Sequence, residues 1–108
     1  MPAYRRSYNR FKVNRSCFLS APEGTEQSSI LKDLSARGAG ILSHMALAIN
    51  QKINLVISAP FISRENLSKQ ATVVWSKEIN NGLWQHGLDF GEDSKIYIPP
   101  DNTGLSFS

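Results

Sequence analysis

The sequence is poor in the residues that most often announce chemistry. Among 108 residues there is one cysteine, Cys17, and there are two histidines, His44 and His86. A lone thiol forms no internal disulfide framework, and no CxxC pair is present for a metal or a redox couple. Such cysteine usage fits a reducing compartment, so a cytoplasmic location is expected. No HxH or HExxH spacing occurs, and no paired carboxylates share a recognisable element. No apolar run reaches the roughly 18 residues of a membrane-spanning helix. The basic start, MPAYRRSYNRF, has no apolar stretch of signal-peptide type behind it. Acids are missing from the same end. Arg5, Arg6, Arg10, Lys12 and Arg15 all precede the first of them, Glu23.

These absences argue against an enzyme, a metal protein and membrane insertion. What remains is enough apolar residue, 41% of the chain, to bury one modest core in a single domain. The net charge of +3 is concentrated at the N-terminal end, which should attract anions.

Alternation of apolar and polar residues predicts strands almost everywhere. FKVNRSCFL places Phe11, Val13, Cys17 and Leu19 on one face, with Arg15 interrupting it. SSILKDLS and AGILS read as the second and third strands. QKINLVISAP is a fourth, with Ile53, Leu55, Ile57 and Ala59 together, ending at Pro60. SKQATVVWS is a fifth, in which Ala71, Val73 and Trp75 alternate with polar residues. LWQHGLDF is a sixth, where Trp84, Leu88 and Phe90 share a face with His86. The best helix candidate, SHMALAINQ, reads as a short helix or an irregular connection. The tail from residue 96, with Pro99, Pro100 and Gly104, should be extended. Six short strands with turns between them predict an all-β antiparallel sandwich or small barrel.

Cys17, on the apolar face of a strand, reads as a small hydrophobe, and His86, on a core stripe, as a satisfied structural histidine. Two other clusters carry more. Arg6 and Arg10 form RxxxR, with Arg5 beside them. That interval puts both on one side of a strand or a helix, about 13 Å apart when extended. Each guanidinium offers a planar fork for phosphate or for the O6/N7 edge of guanine. DLSARG supplies Asp33, Ser35 and Gly38. An ionised Asp33 offers only acceptors, which suits the N1–H and N2–H₂ edge of guanine. Ser35 can donate to a phosphate or ribose oxygen or accept from a nearby amide. Gly38 lets backbone approach a ligand closely. The plain alternative is a turn in which Asp33 and Ser35 bond local amides.

RRSYNR before the first strand, and DLSARG closing the second, together resemble the PilZ domain family of bacterial cyclic di-GMP receptors. Asp33 lies 23 positions after Arg10, and the likeness runs from about Arg5 to Phe90. VVWS in the fifth strand and the Gly87-x-x-Phe90 ending agree with it. The resemblance implies a six-stranded antiparallel β-barrel with little helix, residues 11–95. Residues 1–10 would be a ligand clasp and 96–108 a tail. By similarity Arg6 and Arg10 would grip phosphates and guanine Hoogsteen edges, with Arg5 as an extra arginine. Asp33 would read a guanine, while Ser35 and Gly38 would shape the contact surface. The expected ligand is cyclic di-GMP, with no other cofactor, and an effector protein would be the downstream partner. Ligand binding would order an N-terminal segment that is otherwise mobile.

Two departures from the family stand out. The Pro99–Pro100 tail argues against a regular C-terminal helix, and Asn50–Gln51 replace a glycine expected before the fourth strand. An OB-like barrel binding single-stranded nucleic acid is a rival, as is a PilZ-like adaptor that binds no nucleotide. Nucleic-acid surfaces of the first kind interleave aromatics with basic residues along an exposed face. Here the aromatics mostly follow the predicted core face, and the basic residues cluster before the first strand, so no nucleic-acid partner is expected.

Overall fold

Alternating burial builds the strands. A computed structural model describes residues 10–21, 24, 26–59, 61, 64–96 and 98. Six strands follow one another: β1 Phe11–Ser20, β2 Glu26–Leu34, β3 Gly38–Ser43, β4 Lys52–Ile57, β5 Leu67–Asn80 and β6 Leu83–Asp89. All pairings are antiparallel, and the sheet closes into a barrel in the order β1-β2-β3-β6-β5-β4. Closure gives every strand a ladder partner on both sides over at least part of its length.

The interior is filled as the period-two pattern requires. Cys17 and Leu19 on β1, Ile53, Leu55 and Ile57 on β4, and Ala71 and Val73 on β5 are all buried. Val13, Leu88 and Phe90 join them. Arg15, in phase with these residues, lies over the Phe61 ring at 4.5 Å and donates from Nη2 to the Ser58 carbonyl at 3.2 Å. Its stem thus continues the apolar column while its head meets an aromatic face and a carbonyl.

The ladders carry four register shifts: between Lys12 and Arg15 on β1, between Leu31 and Asp33 on β2, and on β5 between Val73 and Trp75 and again between Glu78 and Asn80. An extra residue on one strand sharpens the local twist and re-aims the side chains that follow. On β2 it allows both Leu31 and Leu34 to face inward. On β5 it turns Val74 and Trp75 outward, 48% and 40% exposed. The expectation that Trp75 continues the face of Ala71 and Val73 is thereby corrected.

Residues 43–51 form no helix, which settles the open reading of SHMALAINQ as an irregular connection. Side chains there capture the backbone that a helix would need. Met45 N donates to Ser43 Oγ at 2.9 Å and Ala48 N to Gln51 Oε1 at 3.0 Å. Asn50 adopts φ 73°, supplying the left-handed geometry that a glycine would ordinarily provide. Its N–H then bonds the Val73 carbonyl at 2.7 Å. Among the described residues the helical element is a single 3-10 turn, Glu92–Ser94. Of the tail, Ile96 is buried and its N–H bonds the Ala36 carbonyl at 2.8 Å. Residues 99–108 lie outside the described part.

Candidate ligand-binding face

The DLSARG segment separates into two halves with different work. Ser35, Ala36 and Arg37 bridge β2 and β3, and this turn is closed from within. Ser35 N donates to the Gly38 carbonyl at 2.8 Å, and Gly38 N returns to Ser35 Oγ at 3.2 Å. Ser35 is itself buried. Arg37 anchors the turn outward, with Nε on Asp89 Oδ1 at 2.9 Å and Nη1 on Glu92 Oε1 at 2.6 Å. Phe90 N donates to the Arg37 carbonyl at 2.7 Å. Of the two roles open to the Ser35 hydroxyl, the one present is the local amide bond. A Cβ at Gly38 would collide with the Leu88 carbonyl oxygen, so this glycine serves close packing of β3 on β6.

Asp33 faces another way. Its Oδ1 accepts from Arg10 Nη2 at 2.6 Å, and both side chains are only about a quarter exposed, 23% for Arg10 and 27% for Asp33. Such a charge-assisted bond in a half-buried setting is stronger than a typical surface pair. Among the described residues nothing accepts a hydrogen bond from the buried Arg10 Nε, a donor beside the pair. Lys12 stands directly opposite Asp33 across the β1–β2 ladder.

The register then carries a row around the outside of the barrel. Asp33 pairs with Gly40, Gly40 with Gly87, and Gly87 with Trp75. The two glycines leave a floor without side chains between an acid and an indole. Asp33 rests on one end of it: a Cβ at Gly40 would stand 2.6 Å from Oδ2. Trp75 covers the other end, where a Cβ at Gly87 would enter the indole ring. Two of the register shifts, at Lys32 and Val74, sit where they aim these two side chains at the floor.

The resemblance names Arg10 and Asp33 as separate contacts to one ligand, and in the structure they contact each other. Arg5 and Arg6 lie outside the described residues. A reading of the sequence assigns Gly40 no role, Gly87 only a part in the Gly-x-x-Phe ending and Lys12 only a place in the basic cluster, and it puts Trp75 on the face of Ala71 and Val73. The phase of a strand beyond a bulge cannot be counted from periodicity. A signal is available in the two glycines, each in a strand interior, where glycine often marks close approach.

The other polar groups do not form a second site. His86 is buried, with Nε2 donating to the Met45 carbonyl and Nδ1 bonded to Ser76 Oγ, each at 2.7 Å. The carbonyl can only accept, which fixes the neutral tautomer with its proton on Nε2. Burial lowers the His86 pKa below its ordinary value, with the Met45 hydrogen bond opposing. Burial likewise pushes the Cys17 thiol up to about 12, leaving no reactive thiolate. Among the described residues no cluster of three metal-ligating side chains exists, and no helix is long and apolar enough to cross a membrane.

Comparison with known proteins gives a consistent picture. No curated protein matches this chain. Solved structures do. The PilZ domain of YcgR from Escherichia coli with c-di-GMP superposes with a TM-score of 0.63 at 15% identity, covering 91% of this chain and 82% of that one. The Bacillus subtilis inhibitor of motility, MotI/DgrA, gives 0.63 at 15% identity, covering 92% and 46%. The PlzA protein of Borreliella burgdorferi in complex with c-di-GMP gives 0.58 at 21% identity, covering 92% and 38%. The chain thus spans less than half the length of the last two, and at these identities the likeness speaks for the fold. The PilZ domain family model matches residues 4–97, and with the closed six-stranded barrel this shows that the chain belongs to the PilZ domain family.

Proposed function

We propose that this chain is a receptor for cyclic di-GMP, held on the outer barrel face between the Arg10–Asp33 pair and Trp75. The observation that carries the reading is the row Asp33–Gly40–Gly87–Trp75 beside Arg10. It juxtaposes the three things a guanine nucleotide requires. Asp33 keeps acceptor capacity for a guanine N1–H/N2–H₂ edge, Arg10 offers a fork for phosphate or O6/N7, and the indole offers a π-face. The family, and neighbours solved with c-di-GMP, favour this ligand over other anions.

Arg5 and Arg6 would complete the clamp from residues 1–10, while Ser35 and Gly38 would act indirectly by fixing the turn behind Asp33. The barrel over residues 11–95 is the platform, and residues 96–108 are a tail. The protein acts by binding rather than by catalysis, as PilZ receptor domains do. Ordering of the arginine segment by ligand would change the surface offered to an effector protein in the cytoplasm. Backbone order parameters for residues 1–9 that do not change when cyclic di-GMP is added would end the ordering part of this scheme.

The decisive test is calorimetric titration with cyclic di-GMP, GTP and a short oligonucleotide at low and moderate salt. Preference for cyclic di-GMP at both salts is expected. Equal binding of all three, with steep loss at higher salt, would reduce the site to a basic surface.

A further inference from the structure

Two glycines at the start of β3 look interchangeable in the sequence and differ in what surrounds them. Neither has the left-handed φ that would demand glycine. Gly38 belongs to the DxSxxG motif, and its missing Cβ makes room for backbone. The obstacle is the Leu88 carbonyl oxygen on β6, which cannot move without disturbing the Gly38–Asp89 and Ala39–Leu88 pairs. Gly40 lies outside the motif, and its missing Cβ makes room for a side chain. The nearest atoms are Asp33 Oδ2 at 2.6 Å and Cγ and Oδ1 at 3.0 Å.

We infer that Gly40 is a positioning residue for ligand recognition. By lacking a Cβ it lets the Asp33 carboxylate lie back on β3, where Oδ1 meets Arg10. The inference rests on the cyclic di-GMP reading for its functional consequence, and on the ligand-free protein for its geometry. A methyl group at position 40 would stand 2.6 Å from Oδ2, too close for the carboxylate to stay where it is. Carboxylates swing about two torsions, so relief comes from rotating Asp33 rather than from moving the strand. Rotation takes Oδ1 from Arg10 Nη2 and changes where both charged groups stand over the glycine floor. Alanine is compatible with this backbone and costs less conformational entropy than glycine, so the barrel itself loses little. The motif glycine is therefore needed for folding, and the unremarked glycine two residues later sets the recognition geometry.

The test is a cycle of wild type, Gly40→Ala, Asp33→Ala and the double variant, titrated with cyclic di-GMP in a calorimeter, with thermal unfolding of each. Gly40→Ala should unfold within about 4 °C of wild type. It should bind about tenfold more weakly, the scale of a misplaced charge-assisted hydrogen bond. In the Asp33→Ala background the same change should cost less than about twofold, because no carboxylate remains to be displaced. An undiminished loss in that background would assign the effect to the methyl group itself and overturn the inference, as would wild-type affinity in Gly40→Ala. The ligand-free crystal structure of Gly40→Ala tests the geometry even if wild type fails to bind cyclic di-GMP, an outcome that would sink only the functional reading. Asp33 rotated out of reach of Arg10 supports the positioning role, and an ion pair still in place refutes it.

Discussion

Neighbouring residues on β5 and β6 serve opposite sides of the barrel wall. Ser76 and His86, cross-strand partners, face inward, while Trp75 and Gly87, the adjoining pair, face outward. The inner pair is polar in an apolar place and is saturated: both imidazole nitrogens are bonded, and the Ser76 hydroxyl lies 3.1 Å from the Leu47 carbonyl. Beside the outer row the Arg10 Nε donor has no acceptor among the described residues. A buried polar group that has spent its bonds is part of the scaffold. A half-buried one with bonds left over is available to a ligand.

The sharpest way to break this contrast is at His86. Replacement by Ala leaves a cavity and two polar partners without a bond, and stability should fall by about 3 kcal/mol in urea titration. Ligand affinity measured on the folded fraction should stay within about twofold of wild type. Strong loss of affinity without loss of stability would reverse the assignment of the two sides.

Asp33→Ala should show the opposite pattern. Cyclic di-GMP binding should weaken by about 1–3 kcal/mol, while stability changes by less than about 1 kcal/mol, since the lost pair is partly exposed. Should the variant unfold, Asp33 belongs to the scaffold. Should it bind normally, Asp33 does not read guanine.

Next in size is the Arg6→Lys/Arg10→Lys double variant. Charge is conserved but the planar fork is lost, so cyclic di-GMP affinity should drop about tenfold and preference over GTP should vanish at either salt. Competition titrations that leave the preference intact would show that only charge matters.

The smallest effect is on pH dependence. His86 has a lowered pKa in the fold, so on acidification the unfolded chain takes up a proton first. Stability is therefore full above the ordinary histidine value of about 6.5 and declines as pH falls from there toward the folded pKa. Unfolding free energies of wild type and a His86→Gln variant between about pH 7.5 and 5 should show the slope in wild type and its reduction in the variant. Parallel curves would mean that another group sets the acid response.

Much of the barrel is legible in the sequence. Period-two alternation finds β4 and β6: QKINLVISAP contains β4 but runs three residues past its end at Ile57, and LWQHGLDF runs one residue past Asp89. The resemblance assigns Arg10 and Asp33 to one ligand, and in the structure the two form an ion pair with each other. Bulges hide the rest. At Lys32 and Val74 an inserted residue resets the alternation, so the side on which Trp75 emerges depends on register with β6, a long-range property. The roles of Gly40 and Gly87 are hidden for a related reason: they come from cross-strand neighbours far away in sequence. SHMALAINQ has helix-compatible residues, yet backbone amides and a carbonyl there are claimed by Ser43, Gln51 and His86.

Closure of the barrel is unequal around its circumference. β1 meets β2 along almost its full length but meets β4 through three residue pairs only, Phe18–Val56, Leu19–Leu55 and Ser20–Asn54. A ring of strands parts most easily at its shortest seam, so hydrogen exchange should find the wall opening here before it melts elsewhere. Amides that donate across this seam would then trade deuterium by a subglobal route, while those at the centre of the β3–β6 ladder wait for complete unfolding. The first residues of β1, which follow Arg10 directly, run on past that seam with β2 alone as a ladder partner. The chain therefore enters the domain beside its mechanically weakest join.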